Sequence, residues 1–295
     1  MKPAPFAYHV ASSVEEAVAL LGRLPNARVL AGGQSLVPML NLRAANPDHL
    51  IDLRRIAGLA GIAETADGLS IGAMTTQRAI ERSPLVRRLC PLLAEAVDHV
   101  GHQQTRNWGT IGGSLCHLDP GAELPVAAAA LEATLTIAGP DGARTLPFAA
   151  FPLGYLTPQL EADEILTRID VPRRPERCGW AFLEFNQRPA DFAVVSVAVL
   201  LGLDGDGRCA GARVALGGID HVPVRLEEAE AGLAGRRPDE PAIAAAAAAT
   251  QALSYEGDAL YPPEFRRRIA PVLVRRALAL AAQRAEKPQD GGGEA

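Results

Sequence analysis

Apolar and polar positions change period several times along this chain, and each change marks an element. Ser13-Val-Glu-Glu16 opens the first: a serine followed three residues later by a glutamate is a capping box, each side chain satisfying a free helix-terminal N–H. Val14, Val18 and Leu21 then fall on one face and predict a helix to about Leu24. A β-rich run at 28–31 leads into a glycine-rich turn, 36–42 reads as a short helix, and 49–53 reads as a second strand. Strand, helix and strand over about fifty residues predict a small α/β unit.

The pattern next predicts a strand at 68–72, helices at 76–81 and 85–100, and a buried, alanine-rich helix at 122–131. Strands follow at 134–138, 144–146 and 164–171. In the last, Ile165, Thr167 and Ile169 alternate with Leu166 and Arg168, compatible with a strand buried on both faces. Pro172-Arg-Arg-Pro-Glu-Arg177 interrupts the pattern as a boundary would. Beyond it, 180–185, 193–203 and 208–216 read as three antiparallel strands, the latter two joined at 204–207, with helices at 225–233, 240–253 and 264–284. The fold class expected is α+β. A first domain, 1–175, comprises two α/β lobes at 1–57 and 58–175, and an α+β domain with a three-stranded antiparallel sheet spans 176–287. The glycine-rich tail, 288–295, is expected to be disordered.

Composition narrows the function. The 295 residues are 48% hydrophobic and 21% charged, with a formal net charge of −5. No basic stretch is interleaved with aromatics, which argues against a nucleic-acid partner. The longest apolar run, 242–249, is mostly alanine and falls short of the roughly 20 residues of a membrane span. Met1-Lys-Pro-Ala-Pro-Phe6 lacks the apolar core of a signal peptide, so a cytoplasmic location is expected. Cys90, Cys116, Cys178 and Cys209 form no CxxC pair and have no histidine at ligand spacing, so no metal site is expected on this chain.

Two glycine segments carry the candidate chemistry. Ala31-Gly32-Gly33-Gln34-Ser35-Leu36 follows a strand, and Thr110-Ile111-Gly112-Gly113-Ser114 precedes a buried helix. Bare backbone amides can approach an anion closely, and successive ones form a nest for phosphate. The first segment lacks the P-loop lysine and the GxGxxG of a dinucleotide fold, so a tight strand-to-helix turn is the equal alternative on residues alone. Beyond the second lie Cys116, His117, Asp119 and Glu123, the last near a helix start, where a carboxylate is either a cap or an acceptor for ligand hydroxyls. Arg188-Pro-Ala-Asp191-Phe192 sits between two strands. No nucleophile–base arrangement emerges, so no catalytic residue is assigned. The residues alone point to binding of a phosphorylated, hydroxyl-rich cofactor.

Taken together, AGGQSLVP at 31–38, RNWGTIGGSL at 106–115 and DPGAELP at 119–125 resemble the motifs of the flavin subunit of the molybdenum hydroxylases, the carbon monoxide dehydrogenase and xanthine dehydrogenase type. Arg188 and Asp191, the segment 215–219 and the segment 275–278 resemble that family's C-terminal domain. The resemblance implies a two-lobed FAD-binding domain similar to vanillyl-alcohol oxidase, followed by an α+β domain. It also implies non-covalent FAD, with the pyrophosphate held by the amides of Gly32 to Leu36 and by Ser35, and Thr110 to Ser114 forming the second half of the cradle. By the same resemblance, Glu123 meets sugar hydroxyls, Val100, Cys116 and Phe192 flank the isoalloxazine, and Ile165 or Leu166 packs by the adenine. Partners follow too: a large molybdenum-cofactor subunit and a small 2Fe–2S subunit, in a dimer of heterotrimers, with electrons reaching an external acceptor through FAD. By the same resemblance, Gln34 stands where many members have histidine or another polar residue, and Glu184 stands near a position often lysine. A stand-alone flavin oxidase, with FAD attached covalently through histidine or cysteine, and a non-enzymatic assembly module are the rival expectations.

Overall fold

A computed structural model describes residues 1–287, so the expected disordered tail, 288–295, lies outside the described residues. The chain builds three main sheets with helices between and around them. In the first lobe, β1 (Ala7–Val10), β2 (Ala27–Leu30) and β3 (His49–Asp52) pair in parallel in the order β1-β3-β2, with α1 (Val14–Arg23) and α2 (Leu36–Leu42) as connections. Ser13 caps α1 as expected, accepting from Glu16 N at 3.1 Å. The Glu16 carboxylate, however, reaches back to Ser12 N at 2.8 Å, one residue before the cap itself. Ala17, Val18 and Leu21 of α1 close the lobe's core against Ile51 and Leu53.

The second sheet is antiparallel, in the order β4-β5-β10-β6-β7, from β4 (Ile62–Thr65), β5 (Gly68–Gly72), β6 (Thr134–Gly139), β7 (Gly142–Pro147) and β10 (Ile165–Pro172). Between β5 and β6 run α3 (Gln77–Arg82), α4 (Pro84–Leu89), α5 (Pro91–His99), α6 (Gln103–Arg106), α7 (Ile111–His117) and α8 (Glu123–Ala130). A small hairpin of β8 (Pro152–Gly154) and β9 (Thr157–Pro158) precedes β10. Three expectations are corrected here. The single helix at 85–100 is two, because Pro91 has no N–H to continue α4 and instead starts α5. The second glycine segment, expected as a turn ahead of a buried helix, is itself the first turn of a short helix, α7. Strand β10 is buried mainly on one face, since a register shift between Leu166 and Arg168 turns Arg168 to solvent while Ile169 and Val171 stay inside.

The last sheet runs β11-β12-β13-β14, from β11 (Cys178–Phe185), β12 (Val195–Leu203), β13 (Cys209–Gly217) and β14 (Val224–Arg225), all antiparallel. It has four strands, not three, because the two-residue β14 is too short to leave a periodic signal. Helices α9 (Glu227–Leu233), α10 (Glu240–Ala248) and α11 (Pro263–Glu286) follow, α10 ending in a 3₁₀ turn at Ala249–Ala252. Alternate β12 residues face opposite cores: Ala198 joins the cluster around α5 and α8, while Val197 and Val199 join that of α10 and α11. Every residue of α8 is buried, and its alanines let α5 and the strands of the last sheet approach it closely. Glu95 of α5 clamps Arg284 of α11 at 2.9 and 3.0 Å, and Glu132 takes Arg213 at 2.6 Å, so charged pairs tie the last sheet to the second. No helix among the described residues is long and apolar enough to cross a membrane.

The fit of α11 on β11 requires glycine at 179: a Cβ there would stand 1.8 Å from Ala281 O. Gly179→Ala is expected to cost about 3 kcal/mol, the upper part of the range for overpacked cores. Gly205→Ala, with nothing within 4 Å of its Cβ, should stay within about 0.5 kcal/mol. Denaturant midpoints of the two variants check this.

Candidate functional site

The two glycine segments lie against each other. A Cβ on Gly32 would stand 2.1 Å from Trp108 O and 2.8 Å from Gly109 Cα, and one on Gly113 would meet Ala31 Cβ at 3.6 Å. Gly33, at φ +72°, favours glycine for another reason, since it takes the left-handed conformation that starts the turn into α2. Around this contact opens a cleft of about 1110 Å³, at the upper end of the roughly 300–1,000 Å³ of small-ligand sites and roomy enough for an extended dinucleotide.

The segments differ in what they offer. After β2, the amides of Gly33, Gln34, Ser35 and Leu36 find no acceptor among the described residues, and Ser35 makes no side-chain cap bond. Gln34 folds its amide back onto Gly32 O at 3.2 Å. Four successive unspent N–H groups are an anion nest. Around α7 the amides are already used: Ile111 N bonds Thr75 O at 3.1 Å, Gly112 N bonds Ala73 O at 2.8 Å, and Ser114 N bonds Thr110 O at 3.1 Å. Gly113 N goes to the capping Thr110 Oγ1 at 3.0 Å. The second half of the cradle is therefore a close-packed wall with the Ser114 side chain on it, not a second nest. Gly112 serves packing, since a Cβ would stand 2.6 Å from Ala73 Cβ.

Most residues expected at the site do line the cleft: Ala31, Gly32, Gly33, Gln34, Ser35, Leu36, Val100, Thr110, Gly112, Gly113, Ser114, Cys116, Glu123, Ile165, Leu166 and Phe192. Two do not. Ile111 turns into the core beneath α7 at 3% exposure, and Asp191 points away into a half-exposed pairing with Arg188 at 3.5 Å. The sequence reading missed Met74, Gln77, Asn46, Leu156 and Pro158, which also face the cleft. The β8–β9 hairpin that supplies two of them leaves no alternating signal. Asp119 holds its own turn through Gly121 N at 2.9 Å.

Glu123 opens α8 at only 3% exposure. Burial pushes its carboxyl up to about 8, with the negative charges of Glu184 and Asp119 adding to the shift and its own backbone N–H and His99 opposing it. Near neutrality it is an acid that both donates and accepts, suited to a ligand hydroxyl. Burial likewise pushes the Cys116 thiol up to about 12, so it is no thiolate nucleophile. His9 Nε2 and His49 Nδ1 share a hydrogen bond at 3.1 Å, and His99 pairs with Glu184 at 3.2 Å. No cluster of three or more potential metal ligands occurs among the described residues.

Comparison with known proteins decides the family. Residues 4–174 match the family described as FAD binding domain in molybdopterin dehydrogenase, and residues 180–281 match CO dehydrogenase flavoprotein C-terminal domain. This chain belongs to the FAD-binding medium subunits of the molybdenum hydroxylases. It is 37% identical to 6-hydroxypseudooxynicotine dehydrogenase complex subunit alpha of Paenarthrobacter nicotinovorans, over 98% of this chain and 99% of that one. It is 39% identical to the carbon monoxide dehydrogenase medium chain of Hydrogenophaga pseudoflava, over 94% and 97%. In the crystal structure of quinoline 2-oxidoreductase from Pseudomonas putida 86, a chain 38% identical superposes with a TM-score of 0.93, covering 97% of this chain and 100% of that one. The cleft fits the family's cofactor on its own terms: four unspent amides suit a pyrophosphate, and a neutral buried acid suits sugar hydroxyls.

The raised Glu123 pKa carries a pH signature. The folded chain keeps a proton that the unfolded chain releases from about 4.5, so stability falls as pH rises from there through about 8. Cofactor-free Glu123→Gln should match the wild type in thermal midpoint near pH 4 and exceed it by several degrees at pH 9. A thermal-unfolding series across pH checks the crossing.

Proposed function

We propose that this subunit holds FAD non-covalently and serves as the electron-transfer member of a three-subunit molybdenum hydroxylase. The row of unspent amides from Gly33 to Leu36, facing a cleft of dinucleotide size, carries this reading. In it, Ser35 and those amides hold the pyrophosphate, Glu123 meets sugar hydroxyls, Val100, Cys116 and Phe192 flank the isoalloxazine, and Ile165 or Leu166 lies by the adenine. Bound FAD would supply one- and two-electron redox chemistry between the 2Fe–2S clusters of a small partner and an external acceptor. The chain's own part is to bind, orient and shield. Hydroxylation takes place on a large molybdenum-cofactor partner, in a dimer of heterotrimers. Relatives named for carbon monoxide, quinoline and a nicotine derivative share this chain's architecture almost end to end. Such sharing fits a subunit that does not choose the substrate. The domain division follows the sheets: 1–57, 58–175 and 176–287.

The test is the visible spectrum of the purified chain, alone and after addition of FAD. Flavin bands that pass into the supernatant on heat precipitation are expected. Gly33→Asp places a carboxylate at the nest, in a left-handed conformation aspartate tolerates, and should weaken FAD binding at least tenfold, about 1.4 kcal/mol or more. A Gly33→Asp chain that keeps its flavin overturns the assignment of that turn.

A further inference from the structure

The segment Ala215-Leu-Gly-Gly-Ile219 lines no part of the cofactor cleft, yet it closes a buried polar cluster behind it. Gly217 has no room for a Cβ, which would stand 2.4 Å from Val126 Cγ2 and 2.6 Å from Ser196 Oγ. That close fit seats Ser196 of β12 against α8. Ser196 is paired in register with Glu184 of β11 and Gly217 of β13, so the three lie on one face of the sheet. Val126 is three residues beyond Glu123 on α8, which puts Glu123 on the same side of the helix.

Two fully buried polar atoms in this cluster have no partner among the described residues: Ser196 Oγ and Glu184 Oε2. Glu184, with its side chain 3% exposed, uses its other oxygen for Asn186 Nδ2 at 2.8 Å and His99 Nδ1 at 3.2 Å. The His99 side chain is 36% exposed and is the cluster's opening to solvent. Glu123 is its opening to the cleft. A hydroxyl and a carboxylate oxygen, neighbouring and unpaired, are costly to bury unless internal water bridges them. Other charged groups facing the cluster are already engaged: Glu95 with Arg284 and Phe182 N, and Asp119 with Gly121 N.

We propose that His99, Glu184, Ser196 and Glu123, linked by internal water, form a proton path from solvent to the cofactor cleft. The path rests on the FAD reading above and carries the proton that accompanies reduction of bound FAD by an iron–sulfur donor. The donor supplies the electrons, and Glu123 releases a proton into the cleft. Glu184 passes its replacement from His99, and His99 regains a proton from water, so the cluster ends as it began. Burial holds the proton on Glu123 near neutrality, and Glu184 raises the affinity of His99 for its own.

Two readouts test this. In the cofactor-free full chain, Ser196→Ala should lower the thermal midpoint by a few degrees, because the bridging water loses an anchor. An equal or higher midpoint, as removal of an idle buried hydroxyl would give, overturns the water-linked cluster. In the FAD-loaded chain, reduction by reduced methyl viologen, whose oxidation releases no proton, is followed in a stopped-flow instrument with a pH indicator. Glu184→Gln and His99→Ala should slow proton uptake at least tenfold, and imidazole should restore the His99→Ala rate. Unchanged uptake in FAD-loaded variants overturns the path alone. A wild-type chain that takes up no FAD overturns the flavin reading and the path with it.

Discussion

The cleft depends on two stretches of backbone meeting with no side chain between them. Gly32 sits against the carbonyl of Trp108, and Gly113 sits beside Ala31. Each contact joins the parallel three-stranded lobe to the helices of the second sheet. A Cβ at Gly32, 2.1 Å from Trp108 O, would force the segments apart by more than an ångström. Interiors packed to crystal density transmit such a displacement instead of absorbing it. The lobe's core also includes Met74 and Ile165 from the neighbouring sheet, so the spacing set at the glycines is held by apolar packing on the far side. The cleft is the space left between these two fixed contacts.

Within that frame the two segments divide the work. The α7 side is locked: Thr110 caps its own helix, and the amides of Ile111 and Gly112 are anchored on Thr75 and Ala73 at the end of β5. The α2 side leaves its amides open. Unpaired N–H groups on a rigid turn cost little while water reaches them, and they need no reorganisation when an anion replaces that water. Similar glycine strings in the sequence thus differ in kind, one leaving its amides open and one bracing.

The capping serine at 13 fixed the start of α1, and the alanine run from Ala127 foretold a helix buried on all sides, because both signals are local. The bounds of α2 and β5 follow the residues read for them. What escaped was set by distance or by brevity. Strand β14 has two residues, and β8 and β9 take shape only in the hairpin. Continuous apolar spacing through 85–100 hid the stop that Pro91 imposes. At the site, Ile111 and Asp191 adjoin cleft residues in sequence but face elsewhere, since consecutive positions point to different sides. The raised pKa of Glu123 owes part of its shift to Glu184, on a strand of another sheet. No window of sequence contains both.

The charge of the cleft wall completes the logic of the nest. Among the described residues Arg28 is the one arginine or lysine lining it, against Asp119, Glu123, Glu161 and Glu164. Glu164 is neutralised by Arg144 through contacts of 2.7 Å, and Glu123 is neutral by burial. Arg54, whose guanidinium lies 6.0 Å from the Trp108 ring, is committed to Asp52 and Tyr8. On the proposed reading, a pyrophosphate here would be met chiefly by aligned amide dipoles, not by free cations. Fixed dipoles at contact distance are screened far less by salt than charges acting across a Debye length of about 8–10 Å. A wall built this way would hold a doubly charged ligand without a surplus of arginines around it. Surplus cations would add their own field to the flavin, so recognition by backbone leaves its electrostatics to a few buried side chains.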